Sequence, residues 1–262
     1  MNSIQHKRTA LVLGGSRGLG LGVAAALVQR GIDVALVGRD VSALHAAGEH
    51  LAGHPGSVTL FACDLQDSDS VSRLLADVSQ RLNSIDIILL NGGGPPPFAA
   101  SGFDEALWQT QFTAMFLSQV RIATHFLPAM RQRGFGRVLA VSSTSIREPI
   151  ADLTASNALR SALAAWAKTL AAEVAREGVT VNVVLPGRFA TERTTRLDAM
   201  DAEDRGVDRA VIAAESQQQI PVGRYGTVEE FGTVVAFLAS EDAGYITGIA
   251  LPVDGGLSRS ML

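Results

Sequence analysis

The sequence predicts an α/β protein, one doubly wound parallel sheet flanked by helices on both faces. Three observations predict it. Short apolar runs alternate with periodic helical segments along the chain, a glycine-rich turn joins the first strand to the first helix, and no linker, repeat or low-complexity tract divides the 262 residues. Such alternation leaves right-handed crossovers between parallel strands as the packing solution. The span 1–262 is read as a single domain with a helical substrate lid at about 188–226.

The elements follow in order. Thr9 to Leu13 reads as a buried strand, and Leu19, Val23, Ala26, Leu27 and Arg30 mark a helix that Gly31 stops. Asp33 to Val37 is a second strand, closed by Gly38-Arg39-Asp40, and a helix runs from about Ser42 to Leu51. The turn Gly53-His54-Pro55-Gly56 leads to a third strand, Val58 to Ala62, then to Cys63-Asp64-Leu65 and a polar-faced helix from Ser68 to Leu82. Ile85 to Leu90 is a fourth strand, ending in Asn91-Gly92-Gly93-Gly94 and three prolines. A long helix from Phe103 to Arg131 is expected to be interrupted near Pro128. Arg137 to Val141 is a fifth strand, Leu153 to Arg176 a helix, and Val179 to Leu185 a sixth strand. Beyond Pro186-Gly187 a charge-mixed segment reaches Gly226, followed by a helix from Val228 to Ser240 and a last strand from Ile249 to Val253.

Composition narrows the function. Hydrophobic residues are 47% and aromatics 5%, so the core is aliphatic. A net charge of −4 supplies no electrostatic reason to bind nucleic acid. The single cysteine, Cys63, cannot form an internal disulfide, which suits a reducing cytoplasm. Met1 to Arg8 is polar and lacks the apolar centre of a signal peptide. No apolar run approaches the roughly 18 residues of a spanning helix. A cytoplasmic protein with no membrane partner is expected.

The loop Gly14-Gly15-Ser16-Arg17-Gly18-Leu19-Gly20 carries the strongest chemistry. A strand, glycine loop and helix together aim backbone N–H groups and a helix N-terminus at a phosphate. Open α/β sheets bind ligands at the carboxyl ends of their strands, where the other candidate segments also lie. At the end of the second strand a carboxylate would accept the ribose hydroxyls of NAD. This chain has Gly38 and Arg39 there, with Arg17 in the loop. Two guanidinium groups suit a 2′-phosphate, so NADP(H) is expected in preference to NAD(H).

Taken together, these residues resemble the short-chain dehydrogenase/reductase family, 3-oxoacyl-ACP reductases among them, along nearly the whole chain. Gly14, Gly18 and Gly20 match its glycine motif, with Leu13 where threonine is usual. Asp64-Leu65 matches the segment that contacts adenine, and Asn91-Gly92-Gly93 is a glycine-rich form of the Asn-Ala-Gly motif beneath the ribose. Asn182, Pro186, Gly187 and Thr191 match the run bracketing the nicotinamide carboxamide. Ile246-Thr247-Gly248 and Asp254-Gly255-Gly256 match a C-terminal signature usually near a tetramer interface. The resemblance implies a Rossmann-type fold, an oxidoreductase acting on a small molecule, and a homo-oligomer, dimer or tetramer.

The family's catalytic set is Asn, Ser, Tyr and Lys, and here the chain departs. Ser143 matches the serine. Leu153-Thr154-Ala155-Ser156-Asn157 lies where Tyr-x-x-Ser-Lys would be, so Leu153 and Asn157 replace tyrosine and lysine, and Met115 falls at the asparagine position. Neither Tyr225 and Tyr245 nor Lys7 and Lys168 restores the pair. A leucine transfers no proton, and general acid catalysis contributes about 10² to 10⁴-fold. Arg160, one turn beyond Ser156 and Asn157, is either a substitute cation working with Ser143 or Ser156 as donors, or an anchor for a loop or subunit contact.

Other candidates read as structural. His50 and His54 are separated by helix-breaking Gly53, which makes them surface residues rather than metal ligands, and no metal is expected. His125 reads as packed or interfacial and Cys63 as a buried thiol. Among the lid charges, taken as a solvated face, Arg188 is singled out for an anionic substrate. Three functions compete: an NADP-dependent oxidoreductase with atypical proton delivery, a catalytically silent NADP-binding sensor or assembly subunit, and non-hydride chemistry in the same pocket.

Overall fold

The structure, a computed structural model, describes residues 7–260. The first six residues of the polar N-terminal stretch lie outside that range. A seven-stranded sheet has the order β3-β2-β1-β4-β5-β6-β7, and its described pairings are all parallel. The strands are β1 (Thr9–Leu13), β2 (Asp33–Gly38), β3 (Val58–Ala62), β4 (Ile87–Leu90), β5 (Gly136–Val141), β6 (Val179–Pro186) and β7 (Ala250–Val253). They are apolar on both faces because helices cover both.

One face packs α1 (Gly18–Gln29), α2 (Val41–His50) and α9 (Val228–Leu238) through residues such as Val23, Leu27, Leu44 and Phe231. The other packs α3 (Ser68–Arg81), α5 (Ser118–Arg133) and α6 (Thr154–Val174) through Val71, Leu74, Phe126 and Leu163. The chain winds outward from β1 to β3, then returns to β4 on the other side of β1. That reversal opens a crevice at the carboxyl ends of β1 and β4.

The helix expected over Phe103 to Arg131 is divided elsewhere than foreseen. It forms α4 (Glu105–Phe112), one π-helical turn (Thr113–Leu117) and then α5. Pro128 does not interrupt α5: it lies on the exposed face, where solvent can take up the freed carbonyl, while Phe126, Leu127 and Met130 hold the buried face. Strand β4 begins at Ile87 rather than Ile85. The charge-mixed segment forms α7 (Glu192–Arg205) and α8 (Arg209–Gln219), separated by Gly206 in the left-handed region.

Candidate active site

The glycine loop leaves β1 with Gly14 at φ 59° and enters α1 with Gly18 at φ 55°. A Cβ on Gly20 would fall 2.1 Å from the Gly14 carbonyl oxygen, so only glycine allows the helix to start this close to the loop. Asn91, just beyond β4, donates through Nδ2 to the carbonyls of Leu13 at 3.2 Å and Gly14 at 3.3 Å. Thr191, the N-cap of α7, lies against Gly18. Asn91, Thr191 and the three glycines thus meet in one place.

The N-terminus of α1 is left open. Side chains of Asp40, Asp67, Asp104, Thr191, Asp208 and Thr227 cap α2, α3, α4, α7, α8 and α9, whereas α1 has no side-chain cap. Its first N–H groups and positive dipole end therefore remain available to an anion. Leu19 packs into the adjoining core, Ser16 Oγ lies above Gly38, and Leu65 rests against Gly92, while Gly93 borders open space. Asp64 uses Oδ1 to accept from the Gln66 N–H at 3.0 Å.

The two arginines assigned to a 2′-phosphate stand differently. Arg39 is exposed and has no partner among the described residues. Arg17 instead donates to Asp40 at 2.9 Å and pairs with Glu192 at 3.4 Å, so the expected convergence of two free guanidinium groups is not formed. The carboxylates at the starts of α2 and α7 captured it, an interaction invisible in local sequence.

On the β5 side, Ser143 is half-buried and its Oγ accepts the Ser145 N–H at 3.1 Å, which leaves its own proton free to donate. Leu153 is the N-cap residue of α6 and bridges to Phe98; the Phe98 N–H donates to the Asp152 carbonyl at 2.6 Å and Thr154 Oγ1 donates to the Phe98 carbonyl at 2.8 Å. The proline-rich loop is thereby fastened over the start of α6. Met115 is buried in an apolar cluster with Ala155, Leu159, Phe98 and Trp108. Asn157 Nδ2 donates to the Ile150 carbonyl at 2.8 Å, and its Oδ1 is buried with no hydrogen-bond partner.

Arg160 turns back toward the sheet. Its Nε donates to Ser156 Oγ at 3.1 Å, and its Nη1 donates to the carbonyls of Val141 and Ser142, each at 3.0 Å. Ser156 thus accepts from Arg160, and its own hydroxyl proton, like that of Ser143, remains free to donate. Burial, with the charge of Arg193 nearby, draws the Arg160 pKa down to about 10, which leaves it protonated at neutral pH.

The stretch from Arg188 to Gly226 corrects two further expectations. Arg188 donates to Asp198 Oδ1 at 3.0 Å, and Tyr225 donates to Asp198 Oδ2 at 2.8 Å. Asp198 is only 2% exposed, so it is an internal anchor and no part of a solvated face. Arg188 is therefore neutralised, and burial, with the bond to Asp198, raises the pKa of the Tyr225 phenol, whose proton is held by that carboxylate. Asn182 lies fully buried in the middle of β6, donating to the Ile246 carbonyl at 2.8 Å and accepting from the Ile249 N–H at 3.3 Å. Both ends of its amide are thus spent on tying β6 to the segment that leads into β7. Pro186 closes β6 and Gly187 follows it, where Asp254 leaves no room for a side chain on residue 187.

Lys168 donates to the Gly248 carbonyl, Tyr245 is fully exposed, and His125 lies on the exposed face of α5 beside Ser79. Burial raises the Cys63 thiol pKa, as for an inert structural cysteine. No group of three or more potential metal ligands occurs among the described residues, and no described helix is long and apolar enough to cross a membrane. Two residues were not distinguished by sequence. Gln119 is buried one turn beyond Met115, with its amide beside Gly92 and Oε1 unpartnered. Arg193, two residues after the Thr191 cap, extends over Gly94. The helical spacing from Met115 was the available sign of the first; nothing local marked the second.

A parallel sheet with this order and a glycine crevice at its switch point define a dinucleotide-binding α/β protein of the Rossmann class. The family model described as enoyl-(acyl carrier protein) reductase matches residues 14–258. The 3-oxoacyl-[acyl-carrier-protein] reductase MabA of Mycobacterium tuberculosis is 31% identical over 250 residues, covering 95% of this chain and 92% of that protein. The NADPH-dependent reductase BacG of Bacillus subtilis is 28% identical over 260 residues, covering 97% and 99% respectively. The crystal structure of L-sorbose reductase from Gluconobacter frateurii, complexed with NADPH and L-sorbose, superposes with a TM-score of 0.92 at 28% identity, covering 97% of this chain and 98% of that one. The chain belongs to the short-chain dehydrogenase/reductase family.

Proposed function

We propose that this protein is an NADP(H)-dependent oxidoreductase acting on a small carbonyl or alcohol substrate, with an atypical means of proton delivery. The observation that carries the reading is the uncapped start of α1, facing a loop whose glycines 14 and 20 admit no side chain and which Asn91 ties to β4. That cradle fits a dinucleotide pyrophosphate. Relatives described by their names as NADPH-dependent or NADPH-bound support NADP(H).

The residues divide the work. Gly14, Ser16, Gly18, Leu19 and Gly20 would hold the pyrophosphate on backbone N–H groups. Asp64 and Leu65 would border the adenine, Asn91, Gly92 and Gly93 the ribose, and Pro186, Gly187 and Thr191 the carboxamide. Arg39 would meet the 2′-phosphate, joined by Arg17 once it leaves Asp40 and Glu192. When bound, the dihydronicotinamide supplies a hydride. Ser143, with its proton uncommitted, would donate to the substrate oxygen. Leu153 carries no proton, and Asn157 no charge to activate a neighbour. The apolar cluster around Met115 excludes the water that a relay through that position would need. A substrate activated enough to accept hydride without a strong general acid suits this site. The lid is formed by α7 and α8, and the protein is cytoplasmic and homo-oligomeric.

Calorimetry with NADPH and NADH, followed by absorbance assays on carbonyl and activated alkene substrates, tests the reading. Tight NADPH binding with turnover of an activated substrate supports it. Tight binding with no oxidation on any substrate would favour a silent sensor, and binding of neither nucleotide would defeat both.

A further inference from the structure

The cations of the crevice are not equivalent. Arg17 is neutralised by Asp40 and Glu192, and Arg188 by Asp198. Arg160 and Arg193 have no carboxylate partner among the described residues, and they sit at the ends of neighbouring strands, Arg160 on the carbonyls that close β5 and Arg193 over Gly94 beyond β4, where the charge of Arg193 bears on Arg160. Arg196 in turn acts on Arg193. Like charges gathered at a partly dry site raise each other's energy unless an anion joins them.

Their positions are complementary. Arg160 is rigid: the carbonyls at the end of β5 and the Ser156 hydroxyl occupy Nε and Nη1, and Nη2 is left for another acceptor. Arg193 is an arm from the first turn of α7 that crosses to the loop after β4. Its Nη2 lies 2.8 Å from where a Cβ on Gly94 would be, so the third glycine of that loop makes room for the guanidinium. Ser143 lies at the end of the same strand that anchors Arg160, and α6 begins nearby at Leu153 with no side-chain cap, adding its positive dipole end.

We infer that Arg160 and Arg193 form an oxyanion-binding pair and that the substrate of this site carries a carboxylate, seated beside Ser143 at the ends of β4 and β5. This rests on the crevice being the substrate site of an NADP(H)-dependent oxidoreductase. Planar guanidinium forks match a carboxylate in geometry as well as charge. One donor fixed on β5 and one reaching in from α7 would grip the anion from two sides while Ser143 faces the reacting oxygen. The other oxyanion at hand is the dinucleotide pyrophosphate, which the uncapped end of α1 already serves.

The test titrates malonate, succinate, 2-oxoglutarate and their methyl esters into nucleotide-free and NADPH-loaded protein by calorimetry, for the wild type, Arg193→Gln and Arg160→Lys. Arg193 projects from an exposed helix turn, so Arg193→Gln keeps the fold, which thermal melting verifies. At least one carboxylate is expected to bind, its ester not, with affinity falling as sodium chloride rises. Arg193→Gln should weaken carboxylate binding about tenfold or more while leaving NADPH affinity within about threefold. Absence of carboxylate binding to either form, or binding indifferent to both variants, overturns the inference while leaving the cofactor reading intact. Equal losses for NADPH and carboxylate in Arg193→Gln assign the pair to the pyrophosphate and also overturn it. Wild-type protein that binds no NADPH fails the cofactor reading instead, and the nucleotide-free titration still decides the arginine pair.

Discussion

Gly20→Ala reverses the sign that helix propensity predicts. Within a helix, alanine in place of glycine is normally stabilising by about 0.5–1 kcal/mol. Here the new Cβ would sit 2.1 Å from the Gly14 carbonyl oxygen, 2.8 Å from the Gly14 carbonyl carbon and 2.9 Å from Asn91 Nδ2. Carbon and oxygen approach to about 3.3 Å even in close C–H···O contacts. The loop must therefore retreat by about 1 Å, and backbone cannot swing aside as a side-chain end can. Overpacking of this kind costs about 1–3 kcal/mol, or roughly 2–12 °C in Tm at this chain length. Misplacing a binding element by about 1 Å costs on the order of a hundredfold in function. Calorimetry should show NADPH affinity reduced by that order, and scanning calorimetry a lowered Tm. Gly48→Ala in α2 is the control, because its Cβ would meet only the mobile methyl groups of Leu60 at 3.2–3.4 Å. Gly20→Ala protein with wild-type NADPH affinity and an unchanged Tm would refute the reasoning.

Further expectations concern charge and polarity. Glu230 accepts from Arg224 and closes the capping box with Thr227, which holds its carboxyl down at about 2, against 4.5 ordinarily. Because the folded-state value is depressed, its stabilisation is present above about pH 4.5 and is lost as pH falls toward 2; the Tm difference between wild type and Glu230→Gln should shrink across that window, and a constant difference would contradict it. Met115→Asn places an amide among Ala155, Leu159, Phe98 and Trp108 and should destabilise by about 1–3 kcal/mol in denaturant unfolding, whereas a neutral result would mean that water already enters there. Arg39→Ala should weaken NADPH about ten- to a hundredfold and leave NADH unchanged, as loss of a charge-assisted bond to one phosphate requires. Equal losses for both nucleotides would remove the 2′-phosphate assignment.

What was legible in the sequence was local. The strand–glycine–helix unit, the alternation of elements and the places of Ser143, Leu153 and Asn157 rest on neighbours within a few residues. Errors came where partners are distant. Asn182 carries the family motif but turns its amide to Ile246 and Ile249, and Arg188 finds Asp198 in α7. Pro128 breaks a helix only when its freed carbonyl has no solvent, and burial decides that. Asp198 looks like any other carboxylate of the charge-mixed segment until the fold closes over it.

By itself, the sequence determined the class of fold and the crevice in which a dinucleotide fits. Apolar periodicity and glycine placement act through backbone geometry, which does not need distant partners. It also determined that residues 153 and 157 lack a transferable proton and a charge, since those are properties of leucine and asparagine side chains. Only the tertiary structure decided which arginines are free. Arg17 in the glycine loop, Arg160 in α6, Arg188 beyond β6 and Arg193 in α7 are the same residue type, and nothing in their local sequence sets them apart. Asp40, Glu192 and Asp198 neutralise two of them, and the carbonyls of β5 and the space over Gly94 hold the other two unpaired. Ion pairing depends on distances of a few ångströms between groups far apart in sequence, and folding alone sets those distances.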